Sequence, residues 1–226
     1  VNTTIIDADS GQIAAAQEAL QGSRGRLTTF TADVRDRTRI AQVFAEGAAL
    51  QGGLDFLVYT AGVLRPSRLA EMSEFCYDLT FDVNAKGFWN CVQAALPYFP
   101  ETGGAIVAVS SASGSRPKAG NGAYAASKVA LQFLVRTFAL ELAFRQLRVN
   151  CVAPSTVRTP MTARLDEKSE SSGFQPSPTP PLGRLCKTED VARAIVFLCS
   201  EDAGFITGAI LAVDGALTAG VALRGN

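Results

Sequence analysis

The segment GAIVAVSS (residues 104–111) is a continuous run of small and β-branched apolar residues that ends in two serines. A similar run, LRVNCVAP (residues 147–154), follows a stretch of helical length, residues 124–144, that is apolar almost all round. Strands that are continuous hydrophobic runs are typical of parallel sheets covered on both faces, and parallel neighbours need a crossover such as a helix. Residues 104–154 therefore predict a β-α-β unit.

The same alternation of strands and helices extends outward from this unit. Apolar runs predict strands at residues 3–7, 26–34, 54–60 and 208–216, with helical patterns at residues 10–20, 38–50, 73–98 and 188–199. Together they predict an α/β fold with a doubly wound, Rossmann-type parallel sheet and helices on both faces, in a single domain over residues 1–226. Residues 161–182, rich in Ser, Pro and charge, predict a loop that acts as a substrate lid.

The composition excludes several classes of function. The chain carries 21 basic and 21 acidic residues, so no net charge attracts nucleic acid or an anionic membrane. No apolar run approaches the ~20 residues that a bilayer span needs. The absence of histidine removes the usual zinc ligands and both Ser-His-Asp and Cys-His catalysis, so no metal site is predicted. Five cysteines without a CxxC pair predict free thiols in a reducing compartment, the cytoplasm.

Candidate site residues lie where the predicted strands end, because ligands of such sheets bind at the carboxyl ends of the strands. In chain order these residues are Asp7, Asp33, Val34, Ala61, Gly62, Ser111 and Pro154. Tyr124 and Lys128 begin the next helix at positions i and i+4, so they share one face. These side chains are expected to converge on one crevice.

The Tyr124–Lys128 pair suits acid–base chemistry. A phenol with a pKa near 10 is a poor base at neutral pH, and a lysine ammonium one turn away is expected to lower that pKa. Tyr124 would then exchange a proton with a carbonyl or alcohol oxygen held by the Ser111 hydroxyl. The spacing alone is weak, since roughly 0.1 such pairs are expected by chance. The alternatives are an aromatic that packs at a helix start and a solvated lysine.

The order of these residues resembles the short-chain dehydrogenase/reductase family in its compact, classical form. YAASK (residues 124–128) is similar to the family's YxxxK motif, Ser111 falls where the family has its catalytic serine, and Asn84 in DVNAKG matches its active-site asparagine. LRVNCVAPSTVRTPM (residues 147–161) and most of residues 183–216 are also close to family sequences. The resemblance covers nearly the whole chain.

The resemblance implies an NAD(P)(H)-dependent oxidoreductase that interconverts a secondary alcohol and a ketone by hydride transfer. The implied catalytic residues are Asn84, Ser111, Tyr124 and Lys128. Tyr124 would be the general acid/base and Lys128 would lower its pKa and hold the nicotinamide ribose. Ser111 would bind the substrate oxygen, and Asn84 would order a water in a proton relay.

The resemblance also implies a set of cofactor contacts. The implied residues are Asp7, Asp33, Val34, Ala61, Gly62, Tyr124, Lys128, Pro154, Val157 and Thr159. Asp33 and Val34 would contact the adenine, Ala61 and Gly62 would lie under the cofactor, and Val157 and Thr159 would lie beside the nicotinamide amide and phosphates. Asp7 would accept hydrogen bonds from the adenosine ribose and repel a 2′-phosphate, which favours NAD over NADP. Asp9 is the rival for this role, and a capping acid is the alternative for Asp7.

The chain departs from the family pattern in three places. Tyr59 and Thr60 replace the asparagines of the family's NNAG turn, and Ser155 replaces the glycine after Pro154, which is tolerable if φ stays negative. The glycine-rich TGxxxGxG loop, with its strand and helix, is absent from residues 1–226. Its strand would lie between those at residues 3–7 and 54–60, so about 25 to 30 upstream residues are expected in the native protein.

The substrate and assembly are less defined. Arg65, in AGVLRPS, is a candidate ligand for a substrate carboxylate because a similar text occurs in dihydro-dihydroxybenzoate dehydrogenases; a surface arginine is the alternative. Reductases of 3-ketoacyl thioesters resemble the chain about equally well. A catalytically silent binding or scaffold subunit is the alternative to an enzyme. The resemblance implies a homo-oligomer, a tetramer or dimer, packed through the long helices at residues 73–98 and 123–145.

Overall fold

A computed structural model of the protein describes residues 1–159 and 178–220. Strands and helices alternate along these residues. The strands are β1 (Thr3–Asp7), β2 (Leu27–Thr31), β3 (Phe56–Tyr59), β4 (Gly104–Val109), β5 (Leu147–Pro154) and β6 (Ile210–Val213). The helices are α1 (Ser10–Ala19), α2 (Arg37–Gln51), α3 (Glu74–Phe81), α4 (Gly87–Ala95), α5 (Gly122–Leu142) and α6 (Thr188–Cys199).

All strand pairs between these elements are parallel, which confirms the predicted α/β class. One sheet has the order β3-β4-β5-β6, and its register pairs Ala105 with Phe56 and Arg148. The second sheet contains β1 and β2 alone, with Ile5 opposite Thr29. Helix α5 is the crossover between β4 and β5, so residues 104–154 form the predicted β-α-β unit.

Helices cover the four-stranded sheet on both faces. On β4, Ile106 is fully buried against a core that includes Leu131 of α5 and Phe88 of α4. Its neighbour Val107 points to the opposite face and packs in a cluster with Leu198 of α6. This alternation follows from the two-residue period of a strand, and it explains why β4 is apolar at every position.

The two sheets are held together by helices rather than by strand pairing. Within residues 1–159 and 178–220, no strand hydrogen bonds join β1 to β3. Val43 of α2 and Phe88 of α4 share one core cluster with Tyr59 of β3. The sheet is therefore divided at the position expected from the sequence, between residues 3–7 and 54–60.

The side chains of β3 also show this division. Leu57 and Tyr59 are buried in the shared core, whereas Phe56 is 43 % exposed and Val58 is 41 % exposed. Two apolar residues on one face of a buried strand are unusual unless another element covers them. Among the described residues, that face of β3 has no such cover.

Several element boundaries differ from the predicted ones. β2 ends at Thr31, and Asp33 and Val34 lie in a turn beyond it, where the Asp36 amide donates to the Asp33 carbonyl at 2.9 Å. The helix predicted at residues 73–98 is interrupted by a π-helical turn, Asp82–Lys86, between α3 and α4. Ser73 caps α3 as predicted, accepting a hydrogen bond from the Cys76 amide.

The predicted lid lies largely outside the described residues. Of residues 161–182, the structure describes 178–182, where the Leu182 amide donates to the Gly215 carbonyl at 3.2 Å. In the described part of the chain, no helix has both the length and the apolar character needed to cross a membrane.

Candidate active site

Ser111 and Tyr124 meet at the carboxyl end of β4. Ser111 follows the strand and begins a short 3₁₀ turn, its hydroxyl accepting a hydrogen bond from the Ser113 amide at 3.1 Å. The Ser111 hydroxyl also lies near enough to the Tyr124 phenol to lower its pKa. Tyr124 lies in the first turn of α5, so the strand end and the helix start bring these two groups together as predicted.

Lys128 lies one turn further along α5 and is almost completely buried, with 3 % of its surface exposed. Its Nζ donates to the Val109 carbonyl at 2.9 Å and lies 5.7 Å from the centroid of the Tyr124 ring. Burial lowers the pKa of Lys128 to about 8, against a smaller opposing effect of the Cys151 thiol. A solvated lysine, the alternative considered from the sequence, is therefore wrong for this position.

The pKa of Tyr124 does not shift in the expected direction. Burial of the phenol raises its pKa, and the nearby Ser111 hydroxyl lowers it by less. Lys128 does not lower the pKa of the phenol as predicted, because with its own pKa of about 8 the lysine loses its charge at a lower pH than the phenol loses its proton. In this structure Tyr124 is consequently a phenol at neutral pH, and its first available role is proton donor.

Asn84 lies in the π-helical turn and is completely buried. Its Oδ1 accepts from the Val63 amide at 2.8 Å, and its Nδ2 donates to the Val63 carbonyl at 3.0 Å and to the Ser127 hydroxyl at 2.9 Å. Ser127 in turn donates to the Tyr124 carbonyl at 2.7 Å. Asn84 thus connects the loop after β3 with the helix that carries the Tyr–Lys pair.

Gly62 leaves open the space between Asn84 and Lys128. A Cβ atom on Gly62 would lie 3.4 Å from both the Asn84 Oδ1 and the Lys128 Nζ. The backbone of Gly62 therefore lies against both of these side chains. Ala61 precedes this glycine and packs against the main core, half-buried.

The sequence left two roles open for Asp7 and Asp9, capping of the next helix and binding of the adenosine ribose. The Asp9 carboxylate caps α1 and accepts from the Gly11 and Gln12 amides. Asp7 is exposed at the end of β1 and accepts from the Asp9 amide through Oδ1 at 2.8 Å. Asp9 is therefore the capping acid of α1.

Asp33 and Val34 are fixed by neighbouring side chains. Asp33 forms a salt bridge with Arg35 at 2.6 Å, and this hydrogen-bonded guanidinium lowers the pKa of the carboxyl. The Val34 carbonyl accepts from Asn90 Nδ2 at 2.9 Å. The turn after β2 is therefore tied to α4, the helix that follows Asn84.

The remaining predicted residues lie at the end of β5 or in the loop after β3. Pro154 pairs with Val213 in the sheet, Val157 forms a β-bridge with Cys186, and Thr159 follows it. Ser155 is not among the residues with positive φ, as required for the replacement of glycine. Arg65 is exposed, and its Nη1 donates to the Leu64 carbonyl at 3.4 Å.

Several residues of this region were missed by the sequence analysis. Ser127 links Asn84 to α5, and the Ser110 hydroxyl donates to the Lys128 carbonyl while accepting from Gln132.

Beyond the Ser111 turn lies a cleft of about 240 Å³, lined by Ser115, Arg116, Leu217, Thr218 and Gly220. Among the described residues, no group of three or more His, Cys, Asp or Glu side chains could hold a metal ion.

Comparison with known proteins identifies relatives over nearly the whole chain. A family model described as enoyl-(acyl carrier protein) reductase matches residues 1–218. The chain is 38 % identical over 198 residues to the 3-oxoacyl-[acyl-carrier-protein] reductase FabG of Thermotoga maritima, covering 87 % of this chain and 79 % of the relative. It is 34 % identical over 224 residues to the 2,3-dihydro-2,3-dihydroxybenzoate dehydrogenase of Bacillus subtilis, covering 96 % and 86 %.

A solved structure agrees with these sequence matches. The crystal structure of a short-chain dehydrogenase/reductase, described as a glucose/ribitol dehydrogenase, from Brucella melitensis superposes with a TM-score of 0.86 at 33 % identity. The superposition covers 96 % of this chain and 86 % of that one.

Proposed function

Because the chain belongs to the short-chain dehydrogenase/reductase family of oxidoreductases, which act on secondary alcohols and ketones, we propose that Tyr124 is its general acid/base. The observation that supports this proposal is the position of the Tyr124 phenol, with the Ser111 hydroxyl near it and the buried Lys128 amine 5.7 Å from the centroid of its ring. A proton donor and a second hydroxyl lie together at the carboxyl ends of the strands, where ligands of this fold bind.

The proposed proton transfer uses three side chains. The Ser111 hydroxyl holds the substrate oxygen, and the Tyr124 phenol gives its proton to that oxygen as a ketone is reduced. Lys128 would stabilise the phenolate that remains as long as its amine is protonated, which requires a pH below its pKa of about 8. A bound nicotinamide cofactor would supply the hydride. Asn84 holds the loop of Gly62 and the start of α5 in place and would order a water for the proton's return.

The proposed cofactor is NAD rather than NADP. Asp7 presents a carboxylate at the end of β1, where it would accept hydrogen bonds from ribose hydroxyls and repel a 2′-phosphate. Asp33 and Val34 would contact the adenine, and Pro154, Val157 and Thr159 would lie beside the nicotinamide. These residues are proposed to bind the two ends of a dinucleotide.

The same residues do not supply a glycine-rich turn for the pyrophosphate. We place that turn in the gap between β1 and β3, on a strand that pairs with both and a helix that covers Phe56 and Val58. A helix N-terminus there would bind phosphate through its free amides. The proposed unit is thus one catalytic domain, and the lid predicted at residues 161–182 lies largely outside the described residues.

The proposed substrate is a cyclic secondary alcohol that carries a carboxylate, or the corresponding ketone, with a 3-ketoacyl thioester as the second candidate. The names of the Bacillus subtilis and Thermotoga maritima relatives describe these two chemistries. Arg65 is the proposed carboxylate ligand. Its loop is joined to the start of α5 through the Ser67 amide, which donates to the Gly120 carbonyl at 3.1 Å.

The proposed assembly is a cytoplasmic homo-oligomer, a dimer or tetramer, packed through α3, α4 and α5. Of these helices, α3 and α5 expose large apolar side chains to solvent in the single chain. They are Phe75 (71 %) of α3 and Val129 (46 %), Phe133 (68 %) and Leu140 (82 %) of α5, and Phe144 (81 %) follows in the 3₁₀ turn after α5. An apolar surface of this kind is typical of a protein–protein interface.

Turnover of the protein expressed from its complete gene, beside the Tyr124→Phe variant, tests the proposed function. NADH fluorescence titration should give similar affinities for both proteins, because the substitution removes only the phenol oxygen. Ketone reduction should fall at least ~100-fold in the variant, the usual contribution of a general acid. Wild type that binds NADH without turning over a panel of ketones and alcohols would instead identify a catalytically silent subunit.

A further inference from the structure

Tyr59 is a buried residue that the proposed chemistry does not use. It is the last residue of β3 and only 3 % exposed, and its hydroxyl donates to the Val83 carbonyl at 2.5 Å. Val83 lies in the π-helical turn, directly before Asn84. Burial strongly raises the pKa of Tyr59, so its hydroxyl remains a neutral donor throughout the working pH range.

The helix is shaped to receive this hydroxyl. A Cβ atom on Gly87 would lie 2.5 Å from the Tyr59 hydroxyl oxygen and 2.7 Å from the Val34 Cγ2 atom. The tyrosine and the valine therefore occupy the space that any other side chain at Gly87 would need. The T-shaped contact of the Tyr59 ring with Phe88, at 5.5 Å between centroids, fixes the ring itself.

Two adjacent residues of the π-helical turn are thus held by one segment of chain. Tyr59 holds the Val83 carbonyl, and Val63, four residues further along the same segment, holds the Asn84 side chain through its amide and carbonyl. A π-helical turn has a backbone geometry that ordinary helical packing does not favour, and such turns occur often at functional sites. Side-chain hydrogen bonds are then needed to keep it in one conformation.

We propose that Tyr59 is a positioning residue, whose hydroxyl fixes the π-helical turn so that Asn84 and, through Ser127, the Tyr124 backbone keep their places. This inference rests on the proposed roles of Asn84 and Tyr124. The same contact also links the proposed adenine and nicotinamide ends of the cofactor site, because Val34 packs on Gly87 and the Val34 carbonyl accepts a hydrogen bond from Asn90.

The Tyr59→Phe variant tests this proposal, with Tyr98→Phe as the matched control. Tyr98 is half-buried in a 3₁₀ turn after α4, away from the π-helical turn. In Tyr59→Phe, kcat for ketone reduction should fall ~10-fold, because small displacements of positioning groups cost large factors in rate. KM and the Kd of NADH should stay within about twofold, and Tyr98→Phe should leave all three unchanged.

Hydrogen exchange gives a readout that does not depend on turnover. Amides of residues 82–87 should exchange faster in Tyr59→Phe than in wild type and at the wild-type rate in Tyr98→Phe. If Tyr59→Phe does not fold, Gly87→Ala replaces it in the test. Its methyl group would displace the Tyr59 hydroxyl from the helix side, so kcat should fall by the same factor. Unchanged exchange over residues 82–87, or equal falls in kcat for both Tyr→Phe variants, would overturn the proposal. Loss of turnover in Tyr124→Phe tests the proposed function separately.

Discussion

Replacing Gly87 with alanine should destabilise the protein even though alanine is the better helix former. Gly87 has φ −60°, so its backbone suits any residue, and alanine would gain about 1 kcal/mol of helix propensity. The added Cβ, however, would lie 2.5 Å from the Tyr59 hydroxyl oxygen and 2.7 Å from the Val34 Cγ2 atom. Non-bonded heavy atoms attract best at about 3.5–4.0 Å, so both neighbours would have to move.

The expected cost follows from how firmly these neighbours are held. Overpacking a well-packed site by one methyl group costs about 1–3 kcal/mol, and displacing the Tyr59 hydroxyl loses a hydrogen bond worth about 1 kcal/mol. After subtraction of the helix propensity, the free energy of unfolding should fall by about 1–3 kcal/mol. For a domain of this size, that corresponds to a decrease in Tm of about 3–9 °C.

A double-mutant cycle in urea identifies Tyr59 as the cause. Tyr59→Phe removes the hydroxyl oxygen, so adding Gly87→Ala in that background should cost about 1 kcal/mol less than it does in wild type. The m-values of the four proteins should agree, which shows that only the native state has changed. Additivity within about 0.5 kcal/mol would refute the close contact, as would a Gly87→Ala variant that is more stable than wild type.

Three further outcomes are expected. Ala216 has φ 71°, a left-handed conformation that glycine adopts more easily than alanine, so Ala216→Gly should raise the free energy of unfolding by about 0.5–1 kcal/mol in a thermal melt. The control Ala41→Gly, on the exposed face of α2, should lower it by about 1 kcal/mol. The raised pKa of Tyr124 leaves it protonated at neutral pH, and alcohol oxidation needs the deprotonated form as base. The rate of alcohol oxidation should therefore rise with pH to at least pH ~10, while the rate of ketone reduction should not. A rate of oxidation that does not change with pH contradicts this. Arg65→Ala should raise KM at least ~10-fold for a carboxylated cyclic alcohol but not for an uncharged one. If only Arg116→Ala has this effect, the carboxylate binds instead in the cleft that Arg116 lines.

The strands of this fold were predictable because burial on both faces leaves a local signal. β1 and β5 have the predicted bounds, residues 3–7 and 147–154, since each is rich in β-branched or apolar residues and ends at an acidic residue or a proline. β2 ended earlier than predicted, at Thr31. There the chain is turned by the Asp33 carboxylate, which binds the Arg35 side chain and amide, and hydropathy does not report such a contact.

The π-helical turn lay beyond sequence analysis for a different reason. Hydrophobic periodicity over residues 73–98 is the same whether or not one turn is widened, so a single long helix was predicted. The widened turn depends on Tyr59, a residue of another element whose reach across the core cannot be deduced from its place in the sequence. The sequence did show that Tyr59 replaces an asparagine, and that replacement was the available signal.

The charge state of the Tyr124–Lys128 pair shows where local reasoning stops. Helical spacing correctly predicts that the two groups face each other, and Coulomb attraction alone would then lower the pKa of the phenol. That attraction requires a charged lysine, and Lys128 is enclosed so completely that its own pKa falls to about 8. Desolvation acts against charge on both groups at once, so the ion pair is favoured only when further polar groups enter the site. Tyr124 is therefore ready to give a proton before it is able to take one.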